Sequence, residues 1–156
     1  MSRRRRAKKR ETMPDPKYQS TLLQMLVNRV MKNGKKTLAY KIVYQIMDNL
    51  QKKTNQNPIQ VLNQAIMNVK PVVEVKSKRV GGAAYQVPHD VKVERGTILA
   101  IRWILTAARS RSGVSTISKL TNEILDASKK TGAAMKRRND VHKMAEANKA
   151  FAKFRF

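Results

Sequence analysis

The sequence contains no cysteine and only ten acidic residues in a length of 156. Without cysteine there is no disulfide, no thiol nucleophile and no thiolate metal site. No apolar run approaches the ~20 residues that span a bilayer. The basic N-terminus is not followed by the apolar stretch of a secretory signal. These absences exclude several classes of protein, so the function has to be sought in the residues that are abundant.

Positive charge dominates the composition. The 34 Lys and Arg residues give a formal net charge of +24. Like charges repel in a compact fold, so a surplus of this size favours an acidic partner that neutralises it. Nucleic acid and an anionic membrane surface both fit that description. Hydrophobic residues make up 41% of the chain, which is enough for the core of one domain.

The N-terminal segment is the most basic part of the chain. Its cations are Arg3, Arg4, Arg5, Arg6, Lys8, Lys9 and Arg10. Such a block cannot bury itself, and we expect residues 1–13 to form a disordered arm until it meets an anion. Pro14 and Pro16, on either side of Asp15, predict a turn. Residues 14–156 are predicted to form a single helical domain.

Apolar residues recur at helical spacing through most of that domain. Six helices are predicted: from Ser20 to the stop at Asn33-Gly34, around 38–50, from Asn57-Pro58 to Pro71, from about Glu94 to Arg109, around 117–130, and from about Ala133. Asn57 followed by proline is typical of a helix N-cap and first helical position. At the end of the fifth helix, Lys129 and Lys130 match the expected cations and Gly132 the expected C′ glycine.

The segment between the third and fourth helices has a different period. Val73 and Val75 alternate with charged residues, which is typical of a strand. Gly81-Gly82 predicts a hairpin turn, so residues 72–91 are predicted to form a two-stranded ribbon. Such a ribbon is marginally stable alone and needs the body or a ligand to hold it. The predicted fold is mainly α: a bundle of about six helices with a protruding two-stranded β-ribbon and a disordered basic N-terminal arm.

Arginines recur every seven residues along the fourth helix. Arg95, Arg102 and Arg109 therefore lie on one stripe beside the apolar arc, and we expect this stripe to remain without acidic partners, since Glu94 is the only acidic residue in the helix. A solvated charged face is the ordinary alternative. In a chain this basic, a row of arginines is better suited to phosphates, which the planar guanidinium binds well. Arg111 follows in a basic, turn-rich loop and is predicted to bind nucleic acid together with Arg109.

The ribbon carries a second basic cluster. Lys76, Lys78 and Arg79 crowd one strand and are opposed only by Glu74. Lysine also protects exposed strand edges from aggregation, so that alternative stays open. A basic ribbon fits a nucleic-acid groove, and Tyr85 offers a ring for stacking on a base. Most single tyrosines, however, simply pack at an edge.

Patterns that would indicate an enzyme are weak. His142 and Glu146 stand at helical spacing but have no further metal ligand, and a solvated helix face is the favoured interpretation. Asn33-Gly34-Lys35-Lys36 lacks both the first glycine and the hydroxyl residue of a phosphate-binding loop. Trp103 is expected to anchor the edge of the core. We therefore predict no catalytic residues, no metal, no cofactor and no small-molecule substrate.

Three long motifs resemble one known family. They are MLVNRVMKNGKKTLAYKIVY (25–44), VKSKRVGGAAYQVP (75–88) and HKMAEANKAFAKFR (142–155). In this order they are similar to small-subunit ribosomal protein seven of the bacterial and organellar type, and the likeness extends from about Pro14 to the end. Members often carry hydroxyl residues where this chain has Ala83 and Ala84.

The resemblance implies a primary binder of the 3′ major domain of small-subunit rRNA that nucleates assembly of the head. It implies a ribbon near the mRNA exit channel and the exit-site tRNA, and a C-terminal helix near ribosomal protein eleven, with ribosomal protein nine among the neighbours. Positions matching the family imply rRNA contacts by Lys35, Lys36, Lys76, Lys78, Arg79, Arg95 and Arg102. The lysine- and asparagine-leaning composition and the details of the motifs resemble plastid members of the family, which favours a plastid over a bacterial cytoplasm or another organelle. An architectural DNA binder and a basic amphipathic membrane binder are the rival classes.

Overall fold

The computed structural model describes residues 11–113 and 115–154. Its elements are α1 (Thr21–Val30), α2 (Lys36–Thr54), α3 (Pro58–Val69), β1 (Val73–Val80), β2 (Ala83–Asp90), α4 (Val93–Ser110), α5 (Thr116–Ser128), α6 (Ala133–Ala147) and the C-terminal 3₁₀ helix (Lys149–Phe154). The predicted mainly helical fold with a two-stranded ribbon is confirmed. The seven arm cations lie outside the described residues.

Capping side chains start α1 and α3 where the sequence predicts. Ser20 Oγ accepts a hydrogen bond from the backbone N–H of Leu23 at 3.4 Å at the start of α1. Asn57 Oδ1 accepts one from Ile59 at 3.0 Å, with Pro58 at the first position of α3. Each bond satisfies a backbone donor that has no partner within its own helix.

The end of α5 differs from the prediction. Lys130, not glycine, takes the left-handed conformation there, with φ +61°. Gly132 instead precedes α6 as its N-cap, with φ +92°. A Cβ at Gly132 would lie 3.1 Å from Asp126 Cβ and 3.2 Å from Glu123 Oε1. The expected C′ role of Gly132 was therefore wrong: glycine is needed because α5 and the start of α6 approach closely.

The core lies among α1 to α5 and the start of α6, with α5 packed against α2, α3 and α4. Leu120 and Ile124 of α5 are completely or almost completely buried, as are Ile46 of α2 and Ile104 of α4. Trp103 is partly buried against this core, as predicted. Helix α5 therefore connects α2, which begins at Lys36, with α4, which carries Arg95, Arg102 and Arg109.

The turn predicted at Pro14 and Pro16 is fixed by a buried carboxylate. Asp15 Oδ2 accepts hydrogen bonds from the backbone N–H groups of Lys17 and Tyr18, at 3.1 and 3.0 Å. The Tyr44 hydroxyl donates to Asp15 Oδ1 at 2.9 Å. Burial and the neighbouring carboxylate raise the pKa of Tyr44 to about 12. The segment that follows the arm is thus anchored to α2.

The ribbon is antiparallel and runs in register from Val73 opposite Asp90 to Val80 opposite Ala83. Gly81 and Gly82 form its turn with φ +58° and +87°, the conformation that a two-residue hairpin turn requires. Helix α6 packs against β1 and the C-terminal 3₁₀ helix packs against β2. The expected support of the ribbon by the body is confirmed.

Candidate nucleic-acid interface

The arginine stripe of α4 is exposed along its length, but its three members differ in their surroundings. Arg95 is held in a fork by Glu74 of the ribbon, with guanidinium–carboxylate distances of 2.8 to 3.0 Å. The expectation that the whole stripe lacks an acidic partner is therefore wrong for Arg95. No carboxylate in the described ranges 11–113 and 115–154 pairs with Arg102 or Arg109.

Further cations join Arg102 and Arg109 on the same side of the molecule. A groove of about 280 Å³ is lined by Lys32, Arg109 and Lys119 together with apolar residues. A neighbouring apolar groove between α1 and α4 is bordered by Arg29 and Ile98, and Arg102 lies one turn beyond Ile98. We call Arg29, Lys32, Arg102, Arg109 and Lys119 the basic face. It combines α4 and α5, which follow one another in the sequence, with the end of α1, which lies far from both.

Sequence reasoning missed three members of the basic face. Lys119 is the only cation of α5, and Arg29 and Lys32 at the end of α1 show no repeat like that of α4, so the sequence did not connect them with the stripe. They are brought together only because α1 and α5 both pack against α4. The signal available from sequence was the stripe on α4, which identified the central helix but not the residues on either side of it.

The turn before α2 forms another positive region. Lys35 and Lys36 are both exposed, and Lys36 Nζ lies 5.8 Å from the centre of the Tyr40 ring. Helix α2 has no acidic residue in its first turn and no side-chain cap. Two lysines beside the positive end of a helix dipole repel it, and an anion bound there would relieve the repulsion.

The ribbon divides its basic residues between two faces. Lys76 and Lys78 share a face with Glu74 and Tyr85, because alternate residues on a strand point the same way and Lys78 lies opposite Tyr85. Arg79 is exposed on the other face. Lys76 Nζ lies 3.4 Å from Glu74, and the Arg95 guanidinium holds the pKa of the Glu74 carboxyl below its ordinary value.

Tyr85 does not stand alone on the ribbon. Its ring lies 5.2 Å from that of Phe151, centre to centre, with an angle of 49° between the planes. The alternative of a tyrosine packed at an edge is therefore confirmed. The contact with Phe151 was not foreseen, since nothing in the sequence connects residues 66 positions apart.

Arg111 has a structural partner that its sequence context does not reveal. Its Nε donates to Glu123 Oε2 at 2.5 Å, and its Nη2 pairs with Asp126. Glu123 is fully buried and also accepts the backbone N–H of Ala134 at 2.9 Å. This ion pair fastens the loop after α4 to α5 and to the start of α6.

Packing accounts for His142, which was considered above as a metal ligand. His142 is not on a solvated face as expected, because it is half-buried and its Nε2 accepts the Val72 N–H at 3.2 Å. Burial and the nearby Arg138 lower the His142 pKa. Within the described ranges, three or more possible metal ligands never cluster together. No helix in those ranges is long and apolar enough to cross a membrane.

Comparison with known proteins gives one consistent result. A family model described as ribosomal protein S7p/S5e matches residues 2–149. The chain is 69% identical to small ribosomal subunit protein uS7c of Tupiella akineta and 59% identical to uS7c of Ostreococcus tauri. It is 51% identical to small ribosomal subunit protein uS7 of Thermosynechococcus vestitus. Each of these matches covers 100% of both proteins.

Proposed function

The chain belongs to the ribosomal protein S7p/S5e family, and on that basis we propose that it binds the 3′ major domain of small-subunit rRNA directly and nucleates assembly of the head. It is a structural protein of the small ribosomal subunit and not an enzyme. Its partner is rRNA, and its contribution is to neutralise phosphates and hold strands in place. The proposed unit is a single helical domain, 14–156, preceded by the basic arm.

The basic face is the observation that supports this mechanism most strongly. Its cations come from the end of α1, from α4 and from α5, and no described carboxylate pairs with Arg102 or Arg109. RNA strands that meet at a junction bring several phosphates close together. A surface with cations on three elements can neutralise them at once, releasing their counterions. Folded RNA fits this arrangement better than one straight duplex.

The other predicted contacts extend the same mechanism. Lys35 and Lys36 would bind phosphates at the positive end of α2, and the arm cations would follow the RNA away from the body. Lys76, Arg95 and Arg111 already pair with carboxylates, so any phosphate contact by them is an addition to that pairing.

Contacts of the ribbon and α6 with other ribosomal components also form part of the proposal. The ribbon would reach toward the mRNA exit channel and the exit-site tRNA, and α6 would lie near ribosomal protein eleven, with ribosomal protein nine also adjacent. Ala83 and Ala84 are exposed beside the ribbon turn. Contacts at this tip would use backbone groups, because alanine offers no side-chain hydrogen bond.

We further propose that the host ribosome is that of a plastid. The uS7c proteins of the green algae Tupiella akineta and Ostreococcus tauri, at 69% and 59% identity, are more similar to the chain than the cyanobacterial uS7 proteins, at 51–54%. Recovery of the chain with small subunits from purified plastids would support this assignment. Recovery only with ribosomes of another compartment would contradict it.

Removal of Arg102 tests the basic face. We expect Arg102→Ala to lower affinity for a 3′ major domain transcript about tenfold, since hydrogen bonds to charged groups contribute about 1.5–3 kcal/mol. Circular dichroism should be unchanged because Arg102 is exposed.

Lys52→Ala is the matched control. It also removes one exposed cation, but at the other end of α2 from Lys36, about 24 Å along the helix axis. Its affinity should stay within about twofold of the parent. Equal losses in both variants would show that only total charge matters, and unfolding of Arg102→Ala would make that arginine a structural residue.

A further inference from the structure

The half of the ribbon nearest its turn rests on the C-terminal 3₁₀ helix. The rings of Tyr85 and Phe151 are 5.2 Å apart. Asn148 Nδ2, just before the 3₁₀ helix, donates to Gln86 Oε1 at 3.4 Å. Val87, two residues along from Tyr85 on the same face, is completely buried. We call Asn148 and Phe151 the brace.

The brace acts well away from the base of the ribbon. Tyr85 lies opposite Lys78, five residues from the start of β1, which corresponds to about 17 Å at ~3.3 Å per residue. The base is fastened separately, by the Glu74–Arg95 fork and by the Val72 N–H on His142. Attachment at both places prevents the ribbon from pivoting about its base.

Support of this kind is needed because two strands alone are marginally stable in water. The C-terminal 3₁₀ helix packs on β2 and α6, whereas the main core lies among α1 to α5 and the start of α6. Loss of the brace should therefore loosen the ribbon and leave the helical core intact. Tyr85 and Phe151 would then be positioning residues, although Tyr85 was first considered as a base-stacking ring.

We propose that the brace orients the ribbon before RNA arrives, so that Lys76 and Lys78 meet the RNA already in place. These lysines share the ribbon face that carries Tyr85. A ribbon that is already ordered loses less conformational freedom on binding, and the saving appears as affinity. The part of this inference that concerns affinity rests on the proposed rRNA binding.

Hydrogen exchange on the full chain, with and without RNA, tests the brace. We expect Phe151→Ala to speed amide exchange in 75–89 roughly two- to tenfold, the change that loss of one aromatic pair produces in an opening equilibrium. Amides of α2 to α5 should keep the parent rates. Affinity for the 3′ major domain transcript should fall by a similar factor. Phe151→Tyr should retain parent behaviour because it keeps the ring.

Two further variants keep the test decisive. Tyr85→Ala removes the same contact from the ribbon side and should reproduce the Phe151→Ala pattern. Met67→Ala removes an exposed apolar side chain from α3 and should change neither exchange nor affinity.

Unchanged exchange of the ribbon in Phe151→Ala would overturn the proposal. Faster exchange throughout α2 to α5 would also overturn it, since the 3₁₀ helix would then belong to the core. If the ribbon loosens while RNA affinity stays at the parent value, the positioning role fails. The rRNA-binding proposal would survive that result, because Arg102→Ala tests it independently.

Discussion

The ion pair between Arg111 and Glu123 leads to a sharp prediction about stability. Glu123 is fully buried, and Arg111 Nε is its charged partner at 2.5 Å. The change Arg111→Met keeps a long apolar side chain but leaves a buried carboxylate without a countercharge. Breaking a buried pair in this way costs about 3–5 kcal/mol.

The surroundings of the pair place the expected loss near the lower limit of that range. The Arg111 side chain is 29% exposed, so water can reach the site once the guanidinium is gone. Glu123 also keeps its hydrogen bond from the Ala134 N–H. We therefore expect Arg111→Met to lower the free energy of unfolding by about 3 kcal/mol. For a chain of this length that corresponds to a fall in Tm of about 6–12 °C.

Thermal and urea unfolding followed by circular dichroism would measure this loss. Arg102→Met is the matched control, since it removes an exposed arginine from α4 and should change stability by less than about 0.5 kcal/mol. Arg111→Met with Glu123→Leu should recover much of the loss, because the buried charge disappears as well. Stability of Arg111→Met within 0.5 kcal/mol of the parent would refute the structural role assigned to this ion pair.

Two more predictions concern the ribbon base and the junction of α5 with α6. Arg95 lowers the pKa of Glu74. The Glu74 carboxylate therefore stabilises the fold at pH values above the ordinary glutamate pKa of 4.5, and this stabilisation is lost as the pH falls through the lowered pKa. An NMR titration of Glu74 should show the lowered pKa, and the ribbon should loosen as Glu74 becomes protonated. Glu74→Gln should abolish this pH dependence. A Glu74 midpoint at or above 4.5 would contradict the fork. Gly132→Ala should lower the free energy of unfolding in urea more than Gly34→Ala does. Both glycines have positive φ, but only Gly132 has atoms within 3.2 Å of the added Cβ. Equal losses would show that backbone strain alone is the cause.

Local patterns were sufficient to predict most of the elements. The Asn57-Pro58 start of α3 and the Gly81-Gly82 turn depend on backbone preferences that are independent of the rest of the fold. Gly132 was misassigned because a glycine between two helices can end the first or start the second, and the first role is much the commoner one. Only the approach of Asp126 and Glu123 decides between them.

The candidate interface was predictable only where it follows a single helix. The period of seven identified Arg102 and Arg109, but Lys32 and Lys119 join them through packing of separate elements. The Glu74–Arg95 fork spans 21 residues and the Tyr85–Phe151 contact spans 66. Residue spacing does not reveal contacts between positions so far apart in the sequence. Arg95, which pairs with Glu74, could therefore not be distinguished from Arg102 and Arg109 before the structure was known.

Salt dependence of binding tests the central claim most directly. Affinity of the full chain for a 3′ major domain transcript would be measured at several salt concentrations, with duplex DNA as competitor at physiological salt. Counterion release predicts a straight line of log affinity against log salt, with a slope of about −0.7 to −0.9 per neutralised phosphate. Arg102→Ala should reduce the steepness by about one such increment. Affinity that scarcely changes with salt, or equal binding to duplex DNA and folded rRNA, would contradict phosphate neutralisation of folded rRNA as the function of the basic face.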